Sequence, residues 1–342
     1  MVSFLAGLRF IIYSSLLKNS SKGEEGELLL SSGKTPVLLY TPSQKEKGLI
    51  ISLCGFSMSG YEDTRIAVLN NAFAKLGYRV ITPKIPTIDA LLIHPTGIDE
   101  MKEVILHIEA DELLNPHKFR PAVFAPSFSA GIASLAIADM PEKNVSSLCL
   151  IGGFCDFEKT IQFALTNEKN EDDYGMHILM KNFLKYEVGN NTRLDELVQT
   201  ALEDNGLKRQ VPLLPALLAQ TNEETRDLYN KLRYDTGFRS EIIMRAWTKI
   251  PDFVIWKNRL DLSKHANKIK CPVCIIHGKE DNVIPSSESV LLHSLIKDNT
   301  RTHLEVSNLL DHGDLKVGFK IFSEIAHLAK AFHYFMKYID KK

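Results

Sequence analysis

Short apolar segments alternate with longer amphipathic ones along most of the chain, and this alternation limits the possible folds more than any other feature. Runs rich in Val, Ile and Leu predict strands over residues 27–32, 36–40, 48–54, 79–83, 122–125, 147–151, 273–277 and 303–306. Helical periodicity appears over residues 63–76, 98–114, 130–140, 286–296 and 319–339. The first two strands predict a hairpin. The later strands, which are almost continuously apolar, predict an α/β fold with a mostly parallel central sheet flanked by helices.

The strand pattern is interrupted between residues 157 and 262, where the sequence predicts several helices, most clearly over 178–186, 194–202, 223–232 and 241–250. A helical insertion between two parallel strands lies at their carboxyl ends, where ligands bind. We therefore predict a helical cap over residues 157–262 and an α/β core over residues 23–156 and 263–342. The apolar residues 211–218 either line a pocket or pack the cap helices together.

Composition excludes several classes of protein. The 342 residues include 41 Lys plus Arg and 42 Asp plus Glu, so there is no basic surplus for nucleic-acid binding. The sequence contains no stretch of 18 uncharged apolar residues, so it predicts no membrane-spanning helix. The odd number of cysteines, each in or beside an apolar run, predicts buried free thiols and a cytoplasmic location. A zinc site at Cys271 and Cys274 would lack its other two ligands, so we expect no metal and no cofactor.

The N-terminal segment, residues 1–22, predicts an amphipathic helix. Its apolar residues recur at helical spacing, at Phe4, Leu5, Leu8, Ile11, Ile12 and Leu16. Residues 1–18 fit a secretory signal poorly, because no basic region precedes the apolar stretch and Arg9 interrupts it. Such a helix either lies in a membrane interface as a peripheral contact or packs on its own domain or a partner. The sequence favours neither alternative.

The strand over residues 122–125 runs directly into a serine-containing turn and a small-residue helix. In a nucleophile elbow the serine stands exposed at a sharp turn, and the residues two before and two after it must be small. Ser127, between Ala125 and Ser129, meets this requirement, and so does Ser129, between Ser127 and Gly131. We prefer Ser127, because the preceding strand then has the usual length. The competing interpretation of either serine is a helix N-cap.

A serine nucleophile needs a histidine base and an acid that orients it, and the elbow predicts them in that chain order, Ser, acid, His. Asp281 follows the strand over residues 273–277, with Glu280 as the fallback acid. His312 follows the last strand, which distinguishes it from the other ten of the 11 histidines. We expect both side chains at the carboxyl edge of the sheet, near Ser127.

The predicted oxyanion donors are two backbone N–H groups, those of Phe128 and Phe56. Phe128 follows Ser127, and Phe56 lies in the glycine-containing loop after the strand over residues 48–54. This loop is not a phosphate loop, because Tyr61 and Glu62 replace the required Lys and Ser or Thr. It also lacks the middle glycine of the dinucleotide fingerprint.

Taken in order, these motifs resemble those of the α/β-hydrolase superfamily, specifically a serine hydrolase with a helical cap. The resemblance covers about residues 27–156 and 263–342, and it rests on Leu53-Cys54-Gly55-Phe56, Leu76-Gly77-Tyr78-Arg79-Val80, Ser127-Phe128-Ser129, His277-Gly278-x-x-Asp281-x-x-x-Pro285 and His312. It implies Ser127 as nucleophile, Asp281 as acid and His312 as base. Two features depart from the family pattern. Cys54 stands where the family commonly has the histidine of its His-Gly oxyanion motif. Small residues other than glycine flank the serine, where the family's elbow motif has glycines.

The sequence therefore predicts a serine hydrolase that cleaves a carboxylic ester with an apolar acyl or lipid-like portion, through an acyl-enzyme. A thioesterase or an acyltransferase would use the same site, because fold does not determine substrate. The alternative from another class is a non-catalytic protein of the same fold that binds an apolar ligand. Membrane targeting through residues 1–18 is a third hypothesis.

Overall fold

A computed structural model describes residues 2–17, 21–31, 33–141, 144–167, 173–309 and 321–339. Within these ranges the chain forms an eight-stranded sheet in the order β1-β2-β4-β3-β5-β6-β7-β8. The strands are β1 (Glu24–Leu30), β2 (Gly33–Tyr40), β3 (Leu49–Ser52), β4 (Arg79–Pro83), β5 (Ala122–Pro126), β6 (Ser147–Ile151), β7 (Val273–Gly278) and β8 (Thr302–Ser307). Only the pairs β1–β2 and β2–β4 are antiparallel. The predicted α/β fold with a mostly parallel sheet is confirmed.

Helices cover both faces of this sheet. One face carries α1 (Val2–Leu16), α2 (Thr64–Lys75) and α15 (Ile321–Lys337), and the other carries α3 (Pro86–Asp89), α4 (Thr96–Ala110), α5 (Phe128–Ala138) and α14 (Ser286–Ile296). Successive side chains of a strand point to opposite faces. Accordingly, Phe124 of β5 packs towards α2, while Val123 packs towards α4 and α5. Burial on both faces explains why the central strands are apolar without interruption.

The helical insertion, between β6 and β7, contains α6 (Phe157–Thr166), α7 (Tyr174–Phe183), α8 (Lys185–Val188), α9 (Thr192–Gly206), α10 (Leu214–Ala219), α11 (Glu223–Tyr234), α12 (Thr236–Thr248) and α13 (Phe253–Arg259). Several of these helices begin at a side chain that accepts a hydrogen bond from a backbone N–H in the first turn, as Asp156, Asn191, Asn222 and Asp235 do. Such N-caps stabilise a helix start by about 1 kcal/mol. The helix boundaries are therefore encoded locally.

The predicted element boundaries differ from the observed ones by a few residues in several strands and helices. Strand β1 begins at Glu24, three residues before the predicted start, because its exposed glutamates interrupt the apolar pattern. Helix α4 ends at Ala110 rather than at residue 114, since the Asp111 side chain accepts the N–H groups of Leu113 and Leu114 in a turn. Central elements such as β4 and β6 match their predicted ranges.

Helix α1 packs on its own domain, against α15 and α2. Phe10 is 1% exposed, and its ring lies 4.3 Å from that of Phe73 and 4.4 Å from that of Phe332. Gly7 is close enough to α15 that an added Cβ would lie 1.8 Å from the carbonyl oxygen of Ala329. Among the described residues, no helix combines the length and apolar character needed to cross a bilayer. The predicted membrane contact of residues 1–18 stays a prediction.

The five cysteines are buried, and none forms a disulfide. Burial raises the pKa of the Cys54 thiol well above its usual range and that of the Cys271 thiol to about 12. Cysteines of this kind act as small apolar side chains, because the reactive thiolate is disfavoured. The described part of the chain contains no group of three or more His, Cys, Asp or Glu side chains arranged to hold a metal ion.

Candidate active site

Ser127 forms the turn between the central strand and the helix that follows it. Strand β5 ends at Pro126, and α5 begins at Phe128, so one residue makes the whole turn. Ser127 adopts φ 53° and ψ −135°, and its N–H donates to the carbonyl of Ile151 in β6 at 2.7 Å. Non-glycine residues rarely adopt such a conformation, which costs about 1–3 kcal/mol. The Ser127 side chain does not cap α5, so the N-cap interpretation does not apply to this serine.

Ser129 has a different environment. It is fully buried in the first turn of α5, and its hydroxyl donates a hydrogen bond to the carbonyl oxygen of Cys54. This contact ties α5 to the loop after β3. The structure thus places the Ser127 side chain at a cavity wall, while the Ser129 hydroxyl is used in packing.

Small residues around the turn are required by close packing. A Cβ on Gly131 would lie 2.2 Å from the Phe154 ring, and a Cβ on Gly153 would lie 2.6 Å from the Ala130 Cβ. Real Cβ atoms do not approach other atoms this closely, so larger residues would separate α5 from the loop after β6. This close packing explains why the sequence has small residues around the turn.

The loop after β3 lies directly beside the turn. A Cβ on Gly55 would be 3.1 Å from the Ser127 Cβ, and the next side chain, Phe56, stacks on Phe128 with ring centroids 4.3 Å apart. The two residues predicted to donate backbone N–H groups are therefore neighbours. Because Phe128 is the first residue of α5, its N–H has no acceptor within the helix, and the helix dipole there favours negative charge.

The Asp89 carboxylate holds the far end of this loop. It accepts the N–H of Tyr61 at 2.7 Å and that of Ile85, beside β4, at 3.0 Å. Burial raises the pKa of Asp89, while the two backbone donors favour its charged form. Asp89 thus connects the loop that carries Phe56 to the end of a central strand.

Asp281 lies in the loop after β7, at the carboxyl edge of the sheet. Its Oδ1 accepts the backbone N–H groups of Val283 and Ile284, both at 2.9 Å, and its side chain is 5% exposed. A Cβ on Gly152, directly after β6, would lie 3.3 Å from the other oxygen, Oδ2. Because β6 is the neighbour of β5, the carboxylate and Ser127 lie on the same edge of the sheet.

Two residues near Asp281, the fallback acid Glu280 and His277, are used differently. Glu280, the fallback acid, is exposed. His277 is fully buried, with Nδ1 2.6 Å from the Ser289 hydroxyl and Nε2 2.8 Å from the carbonyl of Ile284. Both of its ring nitrogens therefore contribute to the packing of the loop after β7.

His312 lies in residues 310–320, outside the described part of the chain. The preceding strand nevertheless defines where this segment starts. Strand β8 ends at Ser307, which is in register with Gly278, and the Ser307 carbonyl accepts the N–H of Lys279 at 2.8 Å. The chain thus leaves β8 beside the loop that carries Asp281. The role of His312 stays a prediction.

A cavity with about 600 Å³ of empty space, partly open to solvent, lies between the sheet edge and the helical insertion. The core side of the cavity is lined by Ile93, Phe56, Ser127, Phe128, Val283 and Ile284. Its other side consists of residues from two insertion helices, Phe157, Thr160, Ile161 and Ala164 of α6, and Tyr174, Gly175, Ile178 and Leu179 of α7. No charged side chain lines it among the described residues. The lining suits a largely apolar molecule.

Solved structures share this architecture at low sequence identity. An acylaminoacyl peptidase of Pyrococcus horikoshii matches with a TM-score of 0.53 and 15% identity, over 96% of this chain and 43% of that one. An esterase of Pyrococcus furiosus matches with a TM-score of 0.52 and 12% identity, over 94% of this chain and 93% of that one. A puromycin-hydrolysing peptidase of Mycobacterium tuberculosis matches with a TM-score of 0.50 and 12% identity, over 95% of this chain and 40% of that one.

This chain has the α/β-hydrolase fold. It spans less than half the length of the two peptidases that it matches. No family model matches the sequence, and no curated protein does. At identities this low the likeness establishes the fold, and the reaction has to be argued from the residues of the site.

The insertion of this α/β-hydrolase fold is attached to the core near the cavity. In α7, the Asn182 side chain accepts the N–H of Ile93 at 2.8 Å and donates to the carbonyl of Leu91 at 2.9 Å. On another side of α7, His177 is 1% exposed and bonds the Tyr229 hydroxyl of α11 at 2.9 Å. Burial lowers the pKa of His177 to about 4, so the ring is neutral at physiological pH.

Sequence reasoning missed the insertion residues that line the cavity. It singled out residues 211–218, but Val211 and Leu213 are exposed, and this segment does not contribute to the cavity wall. The wall instead uses Phe157, Thr160, Ile161 and Ala164, which have the i, i+3, i+4, i+7 spacing of one helix face. That spacing was the available signal. Apolar density alone did not reveal which helices face the core.

Proposed function

We propose that the protein is a serine hydrolase that cleaves carboxylic esters with an apolar acyl portion. The observation that carries this proposal is the environment of Ser127. Its hydroxyl does not cap α5, and it stands at a strained turn on the wall of an uncharged cavity. A backbone held in such a conformation is characteristic of a nucleophile elbow. The helical insertion would act as the cap that covers the substrate.

The proposed mechanism uses the residues predicted from the sequence. His312 takes the proton of the Ser127 hydroxyl, whose oxygen attacks the ester carbonyl, and Asp281 orients and stabilises the imidazolium. The backbone N–H groups of Phe56 and Phe128 bind the oxyanion. His312 then protonates the departing alcohol. Water, activated by the same histidine, releases the carboxylic acid from the acyl-enzyme.

The lining of the cavity supports an ester of an apolar acid over a charged substrate. Burying an ammonium or carboxylate beside uncharged walls costs several kcal/mol, whereas each buried methylene contributes about 0.8 kcal/mol. The described lining offers apolar carbon atoms and three hydroxyl-bearing residues, Ser127, Thr160 and Tyr174. The Thr160 hydroxyl already donates to the carbonyl of Asp156 at 3.0 Å. Thioester hydrolysis and acyl transfer remain compatible with the same site.

The competing proposal is a binding protein that holds an apolar molecule without turnover. The apolar lining of the cavity favours it as much as it favours catalysis, and Cys54 occupies the position where the family commonly has a histidine. The two proposals differ in whether the Ser127 hydroxyl is activated.

A fluorophosphonate probe separates the two, because it labels only activated serines. The wild-type protein, Ser127→Ala and Ser129→Ala would be treated with the probe and analysed by intact and peptide mass. We expect stoichiometric labelling of the wild type and of Ser129→Ala, and none of Ser127→Ala. Ser129→Ala is the matched control, since it removes a hydroxyl two residues away. A folded wild type that is not labelled, or labelling lost only in Ser129→Ala, would contradict the proposal.

A further inference from the structure

The exposure of the lining residues shows that the cavity has an open end and a closed end. The partly exposed residues include Tyr174, Gly175 and Val283, which lie where α7 meets the loop after β7. In contrast, less than a tenth of the surface of each of Ile93, Ile161, Ile178 and Leu179 is exposed. Ser127 is partly exposed as well, and it also lines the cavity. The cavity is therefore open near the Asp281 loop and closed by apolar side chains beyond it.

Contacts of the insertion helices confirm this direction. Near the open end, the Asn167 side chain at the end of α6 donates to the carbonyl of Asn282, at 3.0 Å, and a Cβ on Gly175 would lie 3.0 Å from Val283. At the other end of α7, Asn182 bonds the backbone of Ile93. Helix α7 thus runs from the Asp281 loop to the loop after β4, and its residues Ile178 and Leu179 face the closed end.

Two properties of ester hydrolysis assign the parts of the substrate to these ends. The alcohol leaves first and is protonated by the base, which is expected beside Asp281, at the open end. The acyl group stays bound to Ser127 until water releases it, so it can occupy a closed apolar end without blocking departure of the alcohol. Both properties place the alcohol at the open end.

We infer that the closed end binds the acyl chain, and that Leu179 helps to set its maximum length, whereas the alcohol lies at the open end and is selected weakly. This inference rests on the proposed function. It identifies the substrates as esters of an apolar carboxylic acid with variable alcohols. Leu179 is thus a specificity-determining residue, supplied by the insertion.

Two series of esters test the assignment. In the first, the alcohol is p-nitrophenol and the acyl chain is lengthened one methylene at a time. In the second, the acyl group is butyryl and a straight-chain alkyl alcohol is lengthened. For the wild type we expect kcat/KM to rise about fourfold per methylene in the acyl series, up to a maximum length, and to vary much less in the alcohol series.

Two substitutions at Leu179 should shift the optimal acyl length in opposite directions. Leu179→Ala enlarges the closed end and should move the optimal acyl length to longer chains, and Leu179→Phe should move it to shorter ones. Gln162→Phe is the matched control, because Gln162 is exposed on the outer side of α6, and it should move neither optimum. Fluorophosphonate labelling of each variant, together with its unfolding temperature, checks that the protein is folded and that Ser127 still reacts.

The outcomes separate this inference from the proposed function. Opposite shifts of the acyl optimum in the two Leu179 variants, with an unchanged alcohol series, support the assignment. An acyl optimum that stays fixed, or a shift confined to the alcohol series, overturns it even when the protein hydrolyses esters. A folded wild type that is neither labelled nor active contradicts the proposed function itself, and the inference with it.

Discussion

The two sides of the cavity are built on different physical bases. On the core side, backbone contacts fix the geometry: the Ser127 turn, the approach of Gly55 to it, and the two N–H groups that hold Asp281. On the insertion side, the wall consists of apolar side chains of α6 and α7, positioned by helix packing and by polar contacts such as His177–Tyr229. The comparison suggests that the proposed chemistry tolerates little change, whereas the choice of substrate depends on replaceable side chains.

The largest expected effect concerns the core side. Replacement of Ser127 by Ala should lower kcat/KM for an apolar ester by about 10⁴-fold or more, since removal of a nucleophile leaves only binding and oxyanion stabilisation. Ser129→Ala should keep most of the activity, because it removes a packing hydrogen bond instead. Initial rates of ester hydrolysis, measured with both variants and the wild type, provide the test. Similar activity losses in the two variants would contradict the distinction between the serines.

On the insertion side, acidification should weaken the fold through His177. Its pKa of about 4 lies below the value of 6.5 for an exposed histidine. Between these values the unfolded state binds the proton and the folded state does not. The free energy of unfolding should therefore decrease as pH falls below 6.5, by up to about 3 kcal/mol near pH 4, and show no such effect above 6.5.

Urea unfolding at several pH values between 7.5 and 4.5 would measure this effect. The His177→Gln variant lacks the titrating group, so its stability should decrease less steeply over the same range, even where it is less stable at neutral pH. Parallel curves for the two proteins would show that His177 does not couple the insertion to pH.

A smaller effect is expected when the Asp89 carboxylate, which holds the loop that carries Phe56, is removed. Asp89→Ala removes the acceptor of two backbone N–H groups and should lower kcat about tenfold, because a displaced oxyanion donor is costly in the transition state. KM should change less. Asp89→Asn keeps one acceptor oxygen, so its kcat should lie between that of Asp89→Ala and that of the wild type. Steady-state kinetics would detect the split between kcat and KM, and an unchanged kcat in Asp89→Ala would show that Asp89 has no positioning role.

The smallest effect concerns α1, where Leu5, Ile12 and Leu16 are exposed along one line. Replacing all three by Ser should reduce flotation with phosphatidylcholine vesicles by at most about tenfold, since each side chain is only partly buried at an interface. These positions leave the buried Phe10 intact, so the helix stays packed on α15. Equal flotation of the variant and the wild type would argue against a membrane contact through this helix.

The core was predictable because its signals are local. The apolar strands, the small residues around Ser127 and the position of Asp281 after β7 all follow from short segments of sequence. The sequence favours Ser127 over Ser129 only through the length of the preceding strand, because both serines have small neighbours. Their environments differ through a contact between Ser129 and Cys54, which are 75 residues apart, and through the backbone conformation of Ser127.

The insertion was harder to predict for the same physical reason. Its helices are evident from the sequence, but which face of each helix lines the cavity depends on packing against distant elements, such as Asn182 on the backbone of Ile93. Likewise, α1 packs on α15, at the opposite end of the chain. An amphipathic pattern reveals an apolar face and does not identify what covers it.

We expect Ser127 to carry an acyl group during turnover. Rapid mixing with an excess of a p-nitrophenyl ester of an apolar acid, followed by acid quenching and mass analysis, tests it most directly. We expect an initial burst of about one p-nitrophenol per protein molecule, and the mass of the acyl group on the peptide that contains Ser127. Steady hydrolysis with the acyl group on any other residue, or a folded protein that neither acylates nor releases p-nitrophenol, would contradict it.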